Sequence, residues 1–412
     1  MTYSETLDLF PANKRKVYQA AFESLSSEGP VTVRDSRLKP FVKFEKQDVA
    51  QAPRIINPRS PRYNLEVARY LKHFEHHMFD AINAAYGAHT GATVIKGMDA
   101  NASAECLKQK WDRFAEPIAI GLDASKFDMH VSPAALRYEH SYYNEYWGNK
   151  RLAELLEMQC LNKGRARCDD GYVDFCMKGT RSSGDMNTSL GNCILMCAMV
   201  YAHAKEAGVR IELANNGDDC VVFLERSDEE RYRETLVSWF ASKGFVMKVE
   251  PTAHELEEIE FCQTHPVRVG GGWQMVRDPR ACLRKDVMCL RAVQNEKTFR
   301  KWVWAVGDGG FNTNGGVPVL GAFYARLRAH GTKSDKFTDL VSRYRFASTS
   351  ARCTEVTPEA RASFWIAFGL TPPEQLAIER LLAERLIGDV DWNEIERDDL
   401  DIELPGTQLL TW

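Results

Sequence analysis

Arg210-Ile211-Glu212-Leu213-Ala214-Asn215-Asn216-Gly217-Asp218-Asp219-Cys220-Val221-Val222-Phe223-Leu224 is the stretch on which the fold turns. Two runs rich in apolar and β-branched residues, 210–214 and 220–224, flank five residues of turn chemistry, and this pattern predicts a β-hairpin. A tight turn holds short carboxylates far more rigidly than an open loop does, so Asp218 and Asp219 are presented together at one end of a sheet. A lone Gly-Asp-Asp is more often an Asx turn than a site. Its meaning therefore depends on what surrounds it.

Upstream, Asn187 to Lys205 is apolar on every side of its middle and predicts a buried helix. Ile118-Ala119-Ile120-Gly121-Leu122 predicts a short buried strand ending at Asp123, with Asp128 five residues on. From Pro61 to Tyr86, Leu65, Ala68, Leu71, Met78, Phe79 and Ile82 recur at mostly helical spacing behind a proline-bounded start, which predicts a long amphipathic helix. Downstream, Glu229 to Lys243 predicts a helix closed by Gly244, and Phe245 to Val249 a further strand. Residues 261–269 and 273–277 alternate around Gly270-Gly271-Gly272, a second hairpin, and from Pro279 the pattern is mainly helical. No repeat, low-complexity segment or clean linker divides the chain. The order of elements predicts an α+β fold around an antiparallel sheet.

The 412 residues are 44% hydrophobic and 27% charged, enough apolar material for a sizeable core, which excludes wholesale disorder and disulfide-stapled miniproteins. Eleven cysteines without a CxxC pair argue against a disulfide framework or zinc module and for reduced thiols. The longest apolar run, Cys193 to Ala202, is about half of what a bilayer requires, so no transmembrane segment is expected, and Met1-Thr2-Tyr3-Ser4-Glu5 does not open a secretory leader. A net charge of −4 hides an uneven distribution. Residues 31–75 carry ten Lys/Arg against five Asp/Glu, and 276–350 fourteen against six. Residues 389–403 carry eight acids against Arg397, so an acidic stretch of −7 masks a body of +3. A basic body with two concentrated segments suits a polyanionic partner.

Carboxylates held at a strand end (Asp123) and in a hairpin turn (Asp218, Asp219) suit two divalent ions about 4 Å apart. Mg²⁺ prefers carboxylate, water and phosphate oxygen. With these residues the sequence resembles the viral RNA-dependent RNA polymerases, most closely those of the tombusvirus family and related plant positive-strand RNA viruses. Asp123-Ala124-Ser125-Lys126-Phe127-Asp128 is similar to the family's first palm motif, and Gly179-Thr180-Arg181-Ser182-Ser183-Gly184-Asp185-Met186-Asn187-Thr188 through Asn192 to the second. Gly217-Asp218-Asp219 is similar to the third, and Gly244 to Glu250 to the fourth. Glu260-Phe261-Cys262-Gln263 with the hairpin after it resembles the primer grip. Lys43 to Lys46 with Pro53 to Asn64 resembles the basic fingers motif through which nucleotides enter. The motifs stand in the family's order and span residues 41 to 280.

The resemblance implies a right-hand polymerase. Residues 1–116 would form an N-terminal extension and fingers with the basic motif, 117–139 palm, 140–178 a fingers insertion, 179–278 palm, 279–388 a helical thumb and 389–412 an acidic tail. It implies replication of a positive-strand viral RNA genome by two-metal nucleotidyl transfer from NTPs to an RNA 3' end, with Mg²⁺ or Mn²⁺, and initiation without a primer. Asp123, Asp218 and Asp219 would be catalytic metal ligands, Asp219 the more tolerant. Asp128 and Asn192, with Thr188 and Ser183 nearby, would contact the ribose 2'-OH, which donates and accepts a hydrogen bond. Ser183-Gly184 would form a flexible loop. Lys43, Lys46, Arg54 and Arg59, on a segment stiffened by prolines at 53, 58 and 61, would display cations along a channel to phosphates. Lys248 and His254, with Lys243 third, are the candidates for a general acid at the leaving pyrophosphate, and spacing does not choose among them. The implied partners are RNA template and product, NTPs, host factors and a separate membrane-anchored viral replication protein. That protein would recruit the chain to membrane-associated replication complexes in the host cytoplasm.

Other signals are structural. His73, His76 and His77 read as a polar helix face, Cys193 and Cys197 as core, and Gly270 to Gly272 as a turn lacking the helix and Lys-Ser/Thr pair of a phosphate loop. Two rival readings are a reverse transcriptase, disfavoured by the glycine before Asp218 and by Asn192, and a non-catalytic RNA-binding scaffold, disfavoured by the intact carboxylates.

Overall fold

The computed structural model describes residues 1–46, 50–87, 91–289, 295–334 and 351–384. In chain order the elements are α1 (Tyr3–Asp8), α2 (Ala12–Glu28), β1 (Phe41–Val42), β2 (Ile55–Ile56), α3 (Pro61–Ala85), α4 (Ala100–Trp111), β3 (Pro117–Ala124), α5 (Phe127–His130), α6 (Pro133–Trp147) and α7 (Lys150–Glu157). There follow β4 (Leu161–Cys168), β5 (Gly171–Lys178), α8 (Thr188–Ala207), β6 (Ile211–Asn216), β7 (Asp219–Glu225), α9 (Glu229–Ser242), β8 (Met247–Ala253), β9 (Thr264–Val269) and β10 (Gly272–Arg277). The chain continues in α10 (Pro279–Lys285), α11 (Glu296–Asn314) and α12 (Leu320–His330), and then in helices Pro358–Phe368 and Pro372–Glu384. The fold is α+β, and among the described residues the named strands pair only antiparallel.

The central sheet has the order β6-β7-β3-β8. Its apolar runs are continuous because both faces are covered. Ile118, Ile120 and Leu122 of β3, Leu213 of β6 and Val222 and Leu224 of β7 share one core with Met196 and Val200 of α8 and with Tyr232, Leu236 and Phe240 of α9. Their neighbours Ala119, Ala214, Val221 and Phe223 point the other way, into a second core with Leu107 of α4, Phe261 and Met275. Each Val, Leu, Ile, Phe or Met side chain so buried contributes roughly 1.5–3 kcal/mol. The N-terminal helices build a third core that reaches α8 at Leu190 and Ile194, and β9, β10 and the C-terminal helices build a fourth. Helix α8 touches both the first and the third, so its all-round apolarity follows from its position.

Helix α3 starts where Ser60 Oγ accepts the Tyr63 N–H (3.2 Å) and Pro61 occupies a position whose N–H has no partner to lose. Gly208 closes α8 in the left-handed conformation. The expected strand at 245–249 begins two residues later, at Met247. The Phe245 N–H still bonds the Phe240 carbonyl (3.0 Å), and the ring stacks on Phe127 at 4.8 Å. The β4–β5 hairpin was not expected. The apolar residues of β5, Tyr172, Val173, Phe175, Cys176 and Met177, are largely exposed, and the strands are fixed by pairing across the two-residue Asp169-Asp170 turn and by an exposed Arg165–Asp174 ion pair.

Of the expected domain limits, 116/117, 178/179 and 278/279 fall between elements, whereas 139/140 falls inside α6. The acidic stretch 389–412 and parts of the basic segment 276–350 lie outside the described residues. All eleven cysteines are free. Among the described residues no helix is long and apolar enough to cross a membrane.

Candidate active site

Antiparallel register brings the acids together. Asp123, near the end of β3, pairs with Asp219 at the start of β7, and Asp218 occupies the turn between β6 and β7. Gly217 turns with φ +86° and is held from both sides by Asn215, whose amide donates to the Gly217 carbonyl (2.8 Å) and whose Oδ1 accepts the Gly217 N–H (3.2 Å). Asn215 is buried and anchored at its backbone to Thr93 and Ile95. The turn is therefore pinned. Burial, followed by the negative charges of Asp219, Asp128 and Asp123, raises the Asp218 carboxyl to about 6.

Among the described residues no three His, Cys, Asp or Glu side chains are drawn tightly enough together to enclose an ion by themselves. The donor chemistry nevertheless suits a hard divalent cation. The oxygens are carboxylate, they repel one another, and substrate phosphate and water supply further oxygens to such ions.

Behind the acids stands a second array. Asn192 of α8 donates through Nδ2 to Asp128 Oδ1 (2.9 Å), so two residues 64 apart in sequence meet side chain to side chain. Burial pushes the Asp128 carboxyl up, while Asn192 and Arg181 act in the opposite direction. Arg181, whose side chain is fully buried, donates through Nε to Asn192 Oδ1 (2.9 Å) and through Nη2 to the fully buried Glu139 of α6. The sequence marks Arg181 only as a member of a motif and does not mark Glu139 at all. Nothing local in the sequence signals a pair separated by 42 residues.

The basic segment divides into cations on display and cations withdrawn. Lys43 and Arg54 are adjacent across the β1–β2 hairpin, partly exposed, and share Glu45 at 2.6 and 3.5 Å. Lys46 instead donates to the Lys285 carbonyl (2.6 Å) at the end of α10 and is half-buried, which lowers its pKa.

Arg59 corrects the expectation of a displayed cation. Its side chain is completely buried, ion-paired to Asp185, and bonded to the Ser36 carbonyl (2.7 Å) and to Asn162 Oδ1 (2.5 Å). Burial alone would lower its pKa, but Asp185 together with Tyr63 and Cys160 outweighs burial and raises it. Asn162 passes the restraint on by donating to the carbonyls of Gly179 (2.8 Å) and Thr180 (2.9 Å). Thr180 stands at φ +63°, a conformation costly for a β-branched residue by roughly 1–3 kcal/mol. Arg59 thus clamps the 179–187 loop.

Ser183 and Gly184 are likewise fastened, not loose. Ser183 Oγ accepts the Asn57 N–H (3.2 Å), Ser182 Oγ donates to the Asn57 carbonyl, and Asn64 donates to the Gly184 carbonyl (3.2 Å). A Cβ on Gly184 would lie 2.5 Å from Pro58 Cα, so glycine is required there for close approach. Thr188 ties the start of α8 to the Ser182 carbonyl (2.6 Å).

Register also separates the candidate acids. Lys248 of β8 pairs with Asp123, is exposed, and donates to Glu250 Oε1 (2.5 Å), a bond that raises its pKa. His254 follows Ala253, the partner of Ala119, and so stands roughly 15–20 Å away along the sheet. Lys243 lies over the Trp239 ring (4.7 Å) beyond α9.

A family model described as viral RNA-dependent RNA polymerase matches residues 1–385. The chain is 45% identical over 383 residues to an RNA-directed RNA polymerase of Cucumber necrosis virus, covering 92% of this chain and 46% of that protein. The polymerase of Tomato bushy stunt virus (strain Cherry) gives the same identity and coverage. That of Oat chlorotic stunt virus (isolate United Kingdom) is 42% identical over 404 residues, 92% of this chain and 53% of that protein. The chain spans about half the length of the curated relatives it matches.

Proposed function

The chain belongs to the viral RNA-dependent RNA polymerase family, and on that premise we propose that it copies a positive-strand viral RNA genome by adding ribonucleotides from NTPs to an RNA 3' end. The observation that carries this reading is the register of Asp123 against Asp219 with Asp218 in the adjoining turn. Asp123 and Asp218, with Asp219 as the more tolerant neighbour, would hold two Mg²⁺ or Mn²⁺ ions, which when bound stabilise the attacking hydroxyl and the leaving pyrophosphate. Asp128 and Asn192 would receive the ribose 2'-OH. Lys248, beside Asp123 in register, would protonate the leaving pyrophosphate oxygen. Lys43 and Arg54 would attract the triphosphate.

The right-hand reading assigns the four-stranded sheet with α8 and α9 to the palm, the segments before residue 117 and within 140–178 to the fingers, and the helices from Pro279 to the thumb. Initiation without a primer, recruitment by a membrane-anchored viral replication protein with host factors, and residence on membranes in the host cytoplasm belong to the same proposal.

The test is extension of an RNA template with labelled NTPs and Mg²⁺ by purified wild type and Asp218→Ala. Template-length product from wild type alone supports the reading. Equal inactivity of both across templates, salt and metal contradicts it.

A further inference from the structure

The Glu139–Arg181 pair is more elaborate than support of a helix requires. Glu139 Oε1 accepts from Tyr143 Oη (2.8 Å) and Asn187 Nδ2 (2.7 Å), and Oε2 accepts from Arg181. Asn187 is steadied in turn by Gln159 (2.9 Å). The carboxylate lies so close to α8 that a Cβ on Gly191 would fall 2.3 Å from Oε1, so only glycine beside Asn192 admits it. Burial would raise the Glu139 pKa, but Arg181 and the other donors hold it below the usual range, so the carboxylate stays charged.

An Asn side chain has two nearly isosteric orientations, one presenting a donor to its neighbour and the other an acceptor. At Asn192 the choice is made from behind. Arg181 has only donors, so the oxygen of Asn192 must face it, and Nδ2 must then face Asp128. Arg181 can hold this position in the interior only because Glu139 neutralises it. The Arg181 N–H also bonds the Asp128 carbonyl (2.7 Å), which fixes the spacing between the two elements.

We infer that Glu139 is a positioning residue for ribose recognition: through Arg181 it locks the Asn192 amide with its donor toward Asp128, and so sets the polarity of the pair that meets the 2'-OH. The inference rests on the polymerase reading for its substrate, though not for its geometry. A merely structural Glu139 would change stability and leave the choice of sugar untouched.

The test compares kcat/KM for an NTP and its 2'-deoxy counterpart in wild type, Glu139→Gln, Asn192→Ala and the double variant, with folding checked by circular dichroism. Loss of one charge-assisted bond corresponds to about a tenfold fall in the ribose preference of Glu139→Gln, and the double variant should match Asn192→Ala. An unchanged preference in Glu139→Gln, or a double variant that loses the full additional factor, overturns the inference.

If Glu139→Gln does not fold, Arg181→Lys, which keeps the charge but loses the planar fork, should show the same fall, and an unchanged preference there counts equally against the inference. A wild type that extends no template defeats the polymerase reading instead. The crystal structure of whichever of the two variants folds then decides the inference by itself: an Asn192 amide detached from Asp128 or reversed supports it, and one retained at its present 2.9 Å overturns it.

Discussion

Two groups of charged residues meet through the Arg181–Asn192–Asp128 contacts, and they are built on opposite principles. Around Asp218, acids are gathered with acids, and the carboxyl rises to about 6. Around Arg59 and Arg181, every buried charge has an opposite one, Asp185 and Glu139, and most of the remaining polar atoms are bonded. The first arrangement is unfavourable unless something positive arrives from outside. The second is satisfied from within and gains little from a ligand. The difference separates the groups that do chemistry from those that hold them in place.

Substitutions can break or sharpen this contrast. The largest effect is expected for Asp218→Asn, which should lower RNA extension by more than about a thousandfold. Its urea midpoint should equal or exceed that of wild type, because a repelled buried charge is removed. A large loss of stability there would break the comparison. Next, Asp185→Ala leaves Arg59 buried and unpaired and should cost about 3–5 kcal/mol by urea unfolding. A stability unchanged from wild type would mean that the clamp is not structural. Lys248→Ala should slow single-turnover extension by about a hundredfold, with His254→Ala within about twofold, because only Lys248 is in register with Asp123. The reverse ranking would remove Lys248 from its role. The smallest effect is expected for Arg54→Ala, an exposed cation sharing Glu45: a few-fold rise in KM for NTP that shrinks as salt increases. A rise insensitive to salt would point to a structural role.

The sheet and its turn were legible because their signals are local. The runs 118–122, 211–214 and 220–224 are short and apolar, Asn215 to Asp219 is turn chemistry, and the helix between them is apolar all round because it faces two cores. The turn fixes the register of β6 against β7, whereas the pairing of β3 with β7 that sets Asp123 opposite Asp219 joins strands that no turn connects, and it had to come from the structure. The β4–β5 hairpin was missed although the run Tyr172 to Met177 and Asp170-Gly171 at its turn were usable cues, because its first strand, Leu161 to Cys168, is mostly polar. Arg59 was misread for a different reason. Prolines and neighbouring cations make its segment look extended and exposed, and its partner Asp185 lies 126 residues away. Glu139 and Arg181 were hidden likewise, since the sequence of α6 gives no sign that it packs against Gly191.

The central claim is that the acids at this strand end are assembled to receive divalent cations. Titration of the purified protein with Mn²⁺, followed by electron paramagnetic resonance, tests it without requiring turnover. Wild type should remove Mn²⁺ from the free signal at substoichiometric protein, and Asp218→Asn should lose most of that binding while Asp185→Asn, if folded, retains it. Equal Mn²⁺ binding by wild type and Asp218→Asn would contradict the account.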